Sequence, residues 1–231
     1  MIQPAKFVYN TLYVLGSWTG LKCDIRGESI LQRESPFVLV VNHQVRIIVV
    51  FVSSLDMKVL SAFWPKQCTV MMKRSLIYVP FFGFVALLCR SIFVDRFNHK
   101  RAHESLLKSA ELIRDKKLSL AVFPEGTRNH GGGLLPFKKG AFNIAVQAGI
   151  PIIPCVISSY SHFYSKQERY FHIPGQVVVQ IMEPVSTKQM TLEDVPALSE
   201  NVRSMMMETY ERISKEAAEM QKRLGERKKF Q

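Results

Sequence analysis

Two continuous apolar runs, each ending in a short polar motif, constrain the fold of this chain more than any other feature. Residues 36–43 read PFVLVVNH, and residues 119–128 read SLAVFPEGTR. A strand that is apolar throughout is typical of a parallel sheet whose two faces are both covered by helices. In such sheets the ligands bind at the carboxyl ends of the strands. The pattern therefore predicts an α/β fold with its chemistry at the ends of these two strands.

Further strand and helix patterns alternate along the chain. Residues 99–116 carry apolar side chains at helical spacing, and residues 140–150 predict a helix that ends near Gly149. The runs PIIPCVIS and QVVVQIM, at residues 151–158 and 176–182, predict two more strands. No Gly/Ser/Pro-rich linker divides the 231 residues. We predict one α/β domain with a largely parallel sheet flanked by helices.

Both ends of the chain predict helices of their own. Residues 1–20 are apolar and aromatic but interrupted by Lys6 and Asn10, which predicts a membrane-interfacial N-terminal helix ahead of a domain over residues 21–231. Residues 199–229 show apolar side chains at helical spacing and a basic end. They predict a long amphipathic helix, for which two interpretations remain: packing on the domain, or contact with anionic headgroups.

One internal apolar run is too short to cross a bilayer. Residues 76–89, LIYVPFFGFVALLC, are fourteen residues without a charge, whereas a spanning helix needs roughly 20. The run predicts a buried helix or a segment that dips into the membrane interface.

The net charge of +12 fits three kinds of partner: nucleic acid, an anionic membrane surface or a phosphorylated small molecule. No nucleic-acid motif and no interleaving of aromatic and basic residues occurs, so we expect no nucleic-acid partner. The four cysteines are scattered without the spacing of zinc ligands. They predict reduced thiols in cytosolic surroundings and no metal site.

The strongest chemical signal follows the second strand, in FPEGTRNHGGGLLPFKKGAF. This stretch predicts a pocket for an anionic group. It supplies the planar guanidinium of an arginine, a hydroxyl, a glycine that lets a ligand approach the backbone, and two lysines just before a helix. These residues are Gly126, Thr127, Arg128, Lys138 and Lys139. The alternative is a β-turn with a solvated arginine, which leaves the two lysines beside a helix N-terminus unexplained.

His43 follows the first strand, and Asp56 follows it after an apolar stretch. A neutral imidazole oriented by a carboxylate can take a proton from a hydroxyl. No G-x-S-x-G nucleophile motif is present, which favours direct transfer to a hydroxyl over a covalent acyl-enzyme. The alternative interpretation is a histidine that is merely hydrogen bonded as part of the structure.

Four blocks, in order, carry a family resemblance. They are VNHQ with SSLD, IFVDR at residues 92–96, FPEGTR at residues 123–128 and GIPIIPCVIS at residues 149–158, and LPFKKGAF matches as well. From Leu21 onward the chain resembles the 1-acylglycerol-3-phosphate acyltransferases, also called lysophosphatidic acid acyltransferases. The resemblance implies a glycerolphosphate-acyltransferase-like fold, with residues 21–231 as the acyltransferase domain.

The resemblance also implies a reaction and a set of site residues. The reaction is transfer of a fatty acyl group from acyl-CoA to the sn-2 hydroxyl of lysophosphatidic acid, giving phosphatidic acid and CoA, with no metal or other cofactor. His43 is then the general base and Asp56 orients it. The resemblance associates Arg96 and the third block, Glu125, Gly126, Thr127 and Arg128, with binding of the glycerol phosphate. The anion-pocket pattern adds Lys138 and Lys139 to the predicted substrate-binding residues. The expected partners include membrane lipids, and the expected location is the endoplasmic reticulum membrane with the site facing the cytosol.

An insert of eight residues, VRIIVVFV at residues 45–52, departs from the family spacing. A continuous helix would put thirteen residues, about 20 Å, between His43 and Asp56. A loop that leaves and returns would restore their contact, whereas a hairpin of the insert on PFVLVV would turn the histidine into part of a connection. The alternative function is therefore a catalytically impaired member or splice variant that binds lysophospholipid at the membrane without turnover.

Overall fold

The computed structural model of the protein describes residues 4–33, 35–44, 55–79, 82–94, 109–127, 129, 132–165 and 167–229. The strands are β1 (Lys22–Arg26), β2 (Val38–Val41), β3 (Cys68–Lys73), β4 (Ile92–Val94), β5 (Ser119–Val122), β6 (Ile152–Ile157), β7 (Tyr164–Ser165), β8 (Tyr170–Phe171) and β9 (Gln176–Ile181). The α-helices are α1 (Pro4–Leu15), α2 (Leu55–Ala62), α3 (Phe82–Leu88), α4 (described over residues 109–115), α5 (Gly140–Ala148) and α6 (Val195–Lys229). Short 3-10 helices cover Gly16–Thr19, Glu28–Gln32 and Arg74–Tyr78.

A seven-stranded sheet forms the centre, in the order β1-β9-β6-β2-β5-β3-β4. All neighbouring strands are parallel except β6 and β9, which are antiparallel. The strands β7 and β8 form a separate antiparallel pair. The predicted α/β fold with a largely parallel sheet is confirmed.

The strand that leads to His43 lies in the middle of this sheet. One edge of β2 pairs with β5 and the other edge pairs with β6, both in parallel. The hairpin alternative is therefore wrong, because neither edge of β2 is left for the insert to pair with. Since β2 and β5 are parallel neighbours, the two motifs that follow them lie at the same edge of the sheet.

Both faces of the sheet are covered, which explains why its central strands are apolar throughout. Val38 and Val40 of β2 pack with buried residues of α4, α5 and α6, whereas Leu39 and Val41 pack with those of α1 and α2. The predicted helix at residues 140–150 is α5, and Gly149 ends it with a left-handed φ of 64°. The described part of the predicted helix at residues 99–116 is α4; its earlier turns lie outside the described residues.

The apolar run at residues 76–89 is not one buried helix. It comprises the end of the 3-10 helix Arg74–Tyr78 and the separate helix α3, which meet closely at Gly83, where a Cβ would lie 2.0 Å from the Ile77 carbonyl oxygen. Tyr78 is 78% exposed and Phe84 is 65% exposed. The buried-helix prediction is wrong, because the run is divided and many of its described apolar side chains are exposed.

The terminal helices pack on the domain through part of their surface. In α1, the buried ring of Tyr9 stacks on Trp64 with 3.6 Å between ring centroids, while Phe7 and Val14 are exposed. The long C-terminal helix begins at Val195, four residues before the predicted start, and buries one side against the sheet. Among the described residues, no helix combines the length and apolar character that crossing a bilayer requires.

Candidate active site

His43 and Asp56 are in direct contact. The imidazole Nδ1 lies 2.6 Å from Asp56 Oδ2, with the aspartate side chain 0% exposed and that of the histidine 16% exposed. The backbone N–H of Gln44 donates to the same carboxylate oxygen at 2.9 Å. A continuous helix would hold the two residues about 20 Å apart, so the contact between them excludes it. Asp56 lies in the first turn of α2. The insert at residues 45–52 lies outside the described residues, yet the two side chains it separates meet.

The residues on either side of His43 fix it to the end of β6. The side chain of Asn42 donates to the Ile157 carbonyl at 2.9 Å and accepts from the Ile157 N–H at 2.8 Å. The side-chain amide of Gln44 donates to the carbonyls of Ile157 and Ser158 at 3.0 and 2.9 Å. Sequence reasoning missed both residues as parts of the site. The available signal was two amide side chains directly after a buried strand.

Two aromatic rings complete the surroundings of the pair. The Phe123 ring stacks on the His43 imidazole with centroids 4.3 Å apart. Tyr160 is buried, and burial together with the neighbouring Asp56 carboxylate raises the pKa of its hydroxyl well above the ordinary value. Neither ring was assigned to the site from the sequence. Phe123 thus contacts the imidazole, and Tyr160 lies near the carboxylate that orients it.

Glu125 faces the protein and not the open edge of the sheet. Its side chain accepts the N–H of His43 at 2.8 Å through Oε1 and the N–H of Leu135 at 2.9 Å through Oε2. The residue is 3% exposed. Burial raises the pKa of the Glu125 carboxyl, and the two N–H donors and His43 partly offset that rise. The carboxylate belongs to the framework around His43.

The turn after Glu125 carries the predicted anion-binding residues. Gly126 has a φ of 67°, and a Cβ there would lie 2.8 Å from Lys138 Nζ. The lysine side chain therefore lies over the turn. Thr127, Lys138 and Lys139 are exposed, and Lys139 directly precedes α5. Arg96 and Arg128, which were also predicted to bind the substrate, lie outside the described residues.

Two backbone hydrogen bonds fasten this turn to its surroundings. The N–H of Lys138 donates to the Pro124 carbonyl at 2.8 Å, and the N–H of Asn129 donates to the His43 carbonyl at 2.9 Å. The first turn of α5 contains no acidic residue. Among the described residues, no group of His, Cys, Asp and Glu is arranged to hold a metal ion. The carboxyl edge of the sheet thus carries a histidine–carboxylate pair with lysines beside it.

A model of the Acyltransferase family matches residues 22–158 of the chain. The chain belongs to the acyltransferase family. The acyltransferase is 45% identical over 215 residues to a Caenorhabditis elegans protein named as a 1-acyl-sn-glycerol-3-phosphate acyltransferase, covering 93% of this chain and 73% of that one. It is 41% identical over 214 residues to the mouse 1-acyl-sn-glycerol-3-phosphate acyltransferase alpha, covering 93% of this chain and 69% of that one. The family resemblance in the sequence motifs is confirmed.

A solved structure resembles the acyltransferase in fold. The crystal structure of the 1-acyl-sn-glycerophosphate acyltransferase PlsC from Thermotoga maritima matches with a TM-score of 0.69 and 25% identity, covering 90% of this chain and 80% of that one. The predicted glycerolphosphate-acyltransferase-like fold is thereby confirmed. The matched region of the family model includes both halves of the His43–Asp56 pair and the turn at Glu125.

Proposed function

We propose that this acyltransferase moves a fatty acyl group from acyl-CoA to the sn-2 hydroxyl of lysophosphatidic acid, giving phosphatidic acid and CoA. The observation that carries the proposal is the contact between His43 and Asp56 at the sheet edge that also presents Lys138. The names of the relatives point to the same acceptor. No cofactor besides the acyl-CoA co-substrate is proposed.

The reaction needs a base for the attacking alcohol. With Nδ1 bonded to Asp56, Nε2 is the imidazole nitrogen that takes the hydroxyl proton. The alcohol oxygen then forms a bond to the thioester carbonyl carbon, and the carbon–sulfur bond breaks as CoA leaves as a thiolate. The proton returns from the imidazolium to the thiolate or to water. Asp56 accepts the Nδ1–H throughout, which keeps the ring oriented and stabilises its charged form.

The phosphate of the acceptor needs cations close to this base. Lys138 and Lys139 are exposed beside the Gly126 turn and just before α5, where an anion is favoured by the helix N-terminus as well. Thr127 adds a hydroxyl. We assign Arg96 and Arg128 to the same phosphate because their motifs match the family.

The His43–Asp56 contact supports turnover over the alternative of binding without catalysis. Both halves of the pair are held by their own elements, with the Gln44 N–H adding a second hydrogen bond to Asp56. An insert that disrupted the motif would separate these groups. The impaired-member alternative therefore has no support from the site geometry.

The membrane location rests on one apolar surface. We name as the apolar surface the exposed residues Phe7 and Val14 of α1, Tyr78 and Val79, and Phe84, Leu87 and Leu88 of α3. Helix α3 contacts both α1 and the 3-10 helix Arg74–Tyr78, so the elements that carry these residues are neighbours. The exposed arginines Arg74 and Arg90 flank residues 78–88 in the sequence. Apolar residues rimmed by positive charge suit the interface of an anionic membrane.

Part of the apolar surface lies at the same edge of the sheet as the site. The 3-10 helix Arg74–Tyr78 follows the carboxyl end of β3, and β3 runs parallel to β5 and β2. It thus leaves the sheet at the edge that carries His43. Docking by this surface would bring a lipid acceptor to the site from the membrane, with acyl-CoA supplied from the cytosol. The endoplasmic reticulum membrane, with the site facing the cytosol, is the proposed location.

Release of CoA tests the proposed reaction. The purified chain is incubated in detergent or vesicles with acyl-CoA and either lysophosphatidic acid or the matched 1-acylglycerol that lacks the phosphate. We expect CoA release and phosphatidic acid only with lysophosphatidic acid, and none with His43→Ala. Equal rates with the two acceptors would reject the phosphate assignment, and activity that survives His43→Ala would reject the base.

A further inference from the structure

Glu125 uses both of its carboxylate oxygens on backbone donors. Oε1 accepts from the N–H of His43 and Oε2 from the N–H of Leu135, at 2.8 and 2.9 Å. With 3% exposure the side chain has little access to solvent. A carboxylate that is ionised only accepts hydrogen bonds, so these two contacts match its chemistry.

The two donors belong to the two halves of the site. One is the amide of the proposed base itself, and the other opens the Leu135–Lys138 stretch that leads to the exposed lysines. A further bond joins His43 to the turn after Glu125, because the Asn129 N–H donates to the His43 carbonyl at 2.9 Å. Both peptide groups that flank the His43 Cα are therefore held by residues 125–129.

A direct role in holding the phosphate conflicts with this geometry. A phosphate monoester carries close to two negative charges at neutral pH, and a like charge nearby is unfavourable unless a cation intervenes. The Glu125 oxygens point toward backbone N–H groups on the protein side of the turn. Lys138 is a cation that lies over the described part of the turn.

We propose that Glu125 is a positioning residue that fixes the His43 backbone to the lysine-bearing segment, so that the base and the phosphate site keep their spacing, and that it does not contact the substrate. The inference rests on the proposed function and replaces the substrate-binding role that the motif resemblance implied for this glutamate. The groups left to bind phosphate are the lysines, the hydroxyl and the arginines.

The chemistry of the contact distinguishes glutamate from its closest replacements. Glutamine has one acceptor and one donor group at its end, so Glu125→Gln places an NH₂ against one of the two N–H donors. Aspartate keeps both acceptors but is shorter by one methylene, so Glu125→Asp cannot reach both donors at hydrogen-bond distance. Both variants keep a polar side chain, and Glu125→Gln also keeps its size.

Steady-state kinetics provide the first test. We expect Glu125→Gln and Glu125→Asp to lower kcat by about 10- to 100-fold and to leave the KM for lysophosphatidic acid within about threefold. Lys138→Met removes a proposed phosphate-binding cation, so we expect this variant to raise the KM for lysophosphatidic acid. Glu208→Gln changes an exposed glutamate of α6 and serves as the matched control, with wild-type kinetics. A raised KM with unchanged kcat in the Glu125 variants would overturn the proposal.

Amide hydrogen exchange provides a second test that does not depend on turnover. In Glu125→Gln the amides of His43 and Leu135 should exchange at least about tenfold faster, while core amides of β6 keep their protection. Unchanged exchange at both positions would overturn the proposal even if the chain were inactive. Absence of CoA release from the unmodified chain would instead reject the proposed function, so the two failures are distinguishable.

Discussion

Asp56 Oδ2 lies 2.6 Å from His43 Nδ1, although the two residues are thirteen positions apart in the sequence. The carboxylate accepts a second hydrogen bond from the Gln44 N–H. Asp56→Asn can still offer one amide oxygen to these two donors, but it removes the negative charge that stabilises the imidazolium formed during the reaction. We expect kcat to fall by about 10²- to 10⁴-fold with little change in KM, measured as CoA release. A rate within tenfold of the unmodified chain would contradict the orienting role.

Deletion of residues 45–52 restores the family spacing between the same two side chains. Because the contact is already formed with the insert present, we expect the deletion to keep kcat within about threefold of the full chain. The measurement is CoA release by both proteins at matched concentration, with thermal melting to verify folding. A severalfold gain in rate on deletion would mean that the insert impairs catalysis.

Gly126→Ala tests the turn beneath Lys138. Gly126 has a φ of 67°, and the added methyl group would lie 2.8 Å from Lys138 Nζ. A left-handed conformation costs a residue with a Cβ about 1–2 kcal/mol, and the lysine must move away. We therefore expect a lower melting temperature and a higher KM for lysophosphatidic acid. Gly132→Ala, also at positive φ but with no atom within 4 Å of its Cβ position, separates strain from displacement of the lysine. Equal KM values in the two variants would contradict the role of Lys138.

The apolar surface predicts salt-sensitive binding to anionic vesicles. Phe84→Asp with Leu87→Asp adds two negative charges to exposed positions of α3, so folding should be retained while partitioning falls severalfold. The control is Leu192→Asp, another exposed leucine, which lies just before α6. Vesicle flotation at low and high salt gives the measurement. Equal partitioning of the double variant and the control would exclude α3 from the membrane contact.

The ion pair between β1 and α6 predicts a pH dependence of stability. Arg26 donates to Glu216 at 2.6 Å, and this hydrogen bond, with the charge of Arg26, lowers the pKa of the Glu216 carboxyl from 4.5. Because the folded-state pKa lies below the unfolded-state value, the contribution is present above about pH 4.5 and is lost as the pH falls through the folded-state pKa. Glu216→Gln should therefore melt below the unmodified chain at pH 7, and the difference should shrink as the pH is lowered below about 4.5. A constant difference across that range would contradict the prediction.

The central strands could be predicted from sequence because burial on both faces leaves a clear pattern. β2, β5, β6 and β9 all lie within predicted apolar runs. By contrast, β1 reads KCDIR and carries polar residues at the sheet edge, so its sequence does not stand out. The antiparallel pairing of β6 with β9 could not be predicted either. The apolar pattern of a buried strand does not indicate whether it runs parallel or antiparallel to its neighbour.

The sequence predicted some of the candidate site residues, namely the histidine, the aspartate and the lysines of the motif blocks. It did not single out Asn42 or Gln44, and it did not predict the contacts within the site. Whether Asp56 reaches His43 depends on where α2 lies relative to the end of β2. The number of residues between the two side chains does not determine that position. The direction of the Glu125 side chain depends on two backbone N–H groups, 82 and 10 positions away. Backbone donors leave no residue-type signal in a sequence.

The position of β2 between β5 and β6 also has a consequence for how this protein can be altered. The strand, together with the Asn42 and Gln44 bonds to the end of β6, holds one half of the pair, and the buried residues of α2 hold the other. The chain that joins them therefore does not set the distance between them. A peptide tag, a reporter group or a whole guest domain could be spliced in at residues 45–52, beside the reaction it would report on, without rebuilding the site.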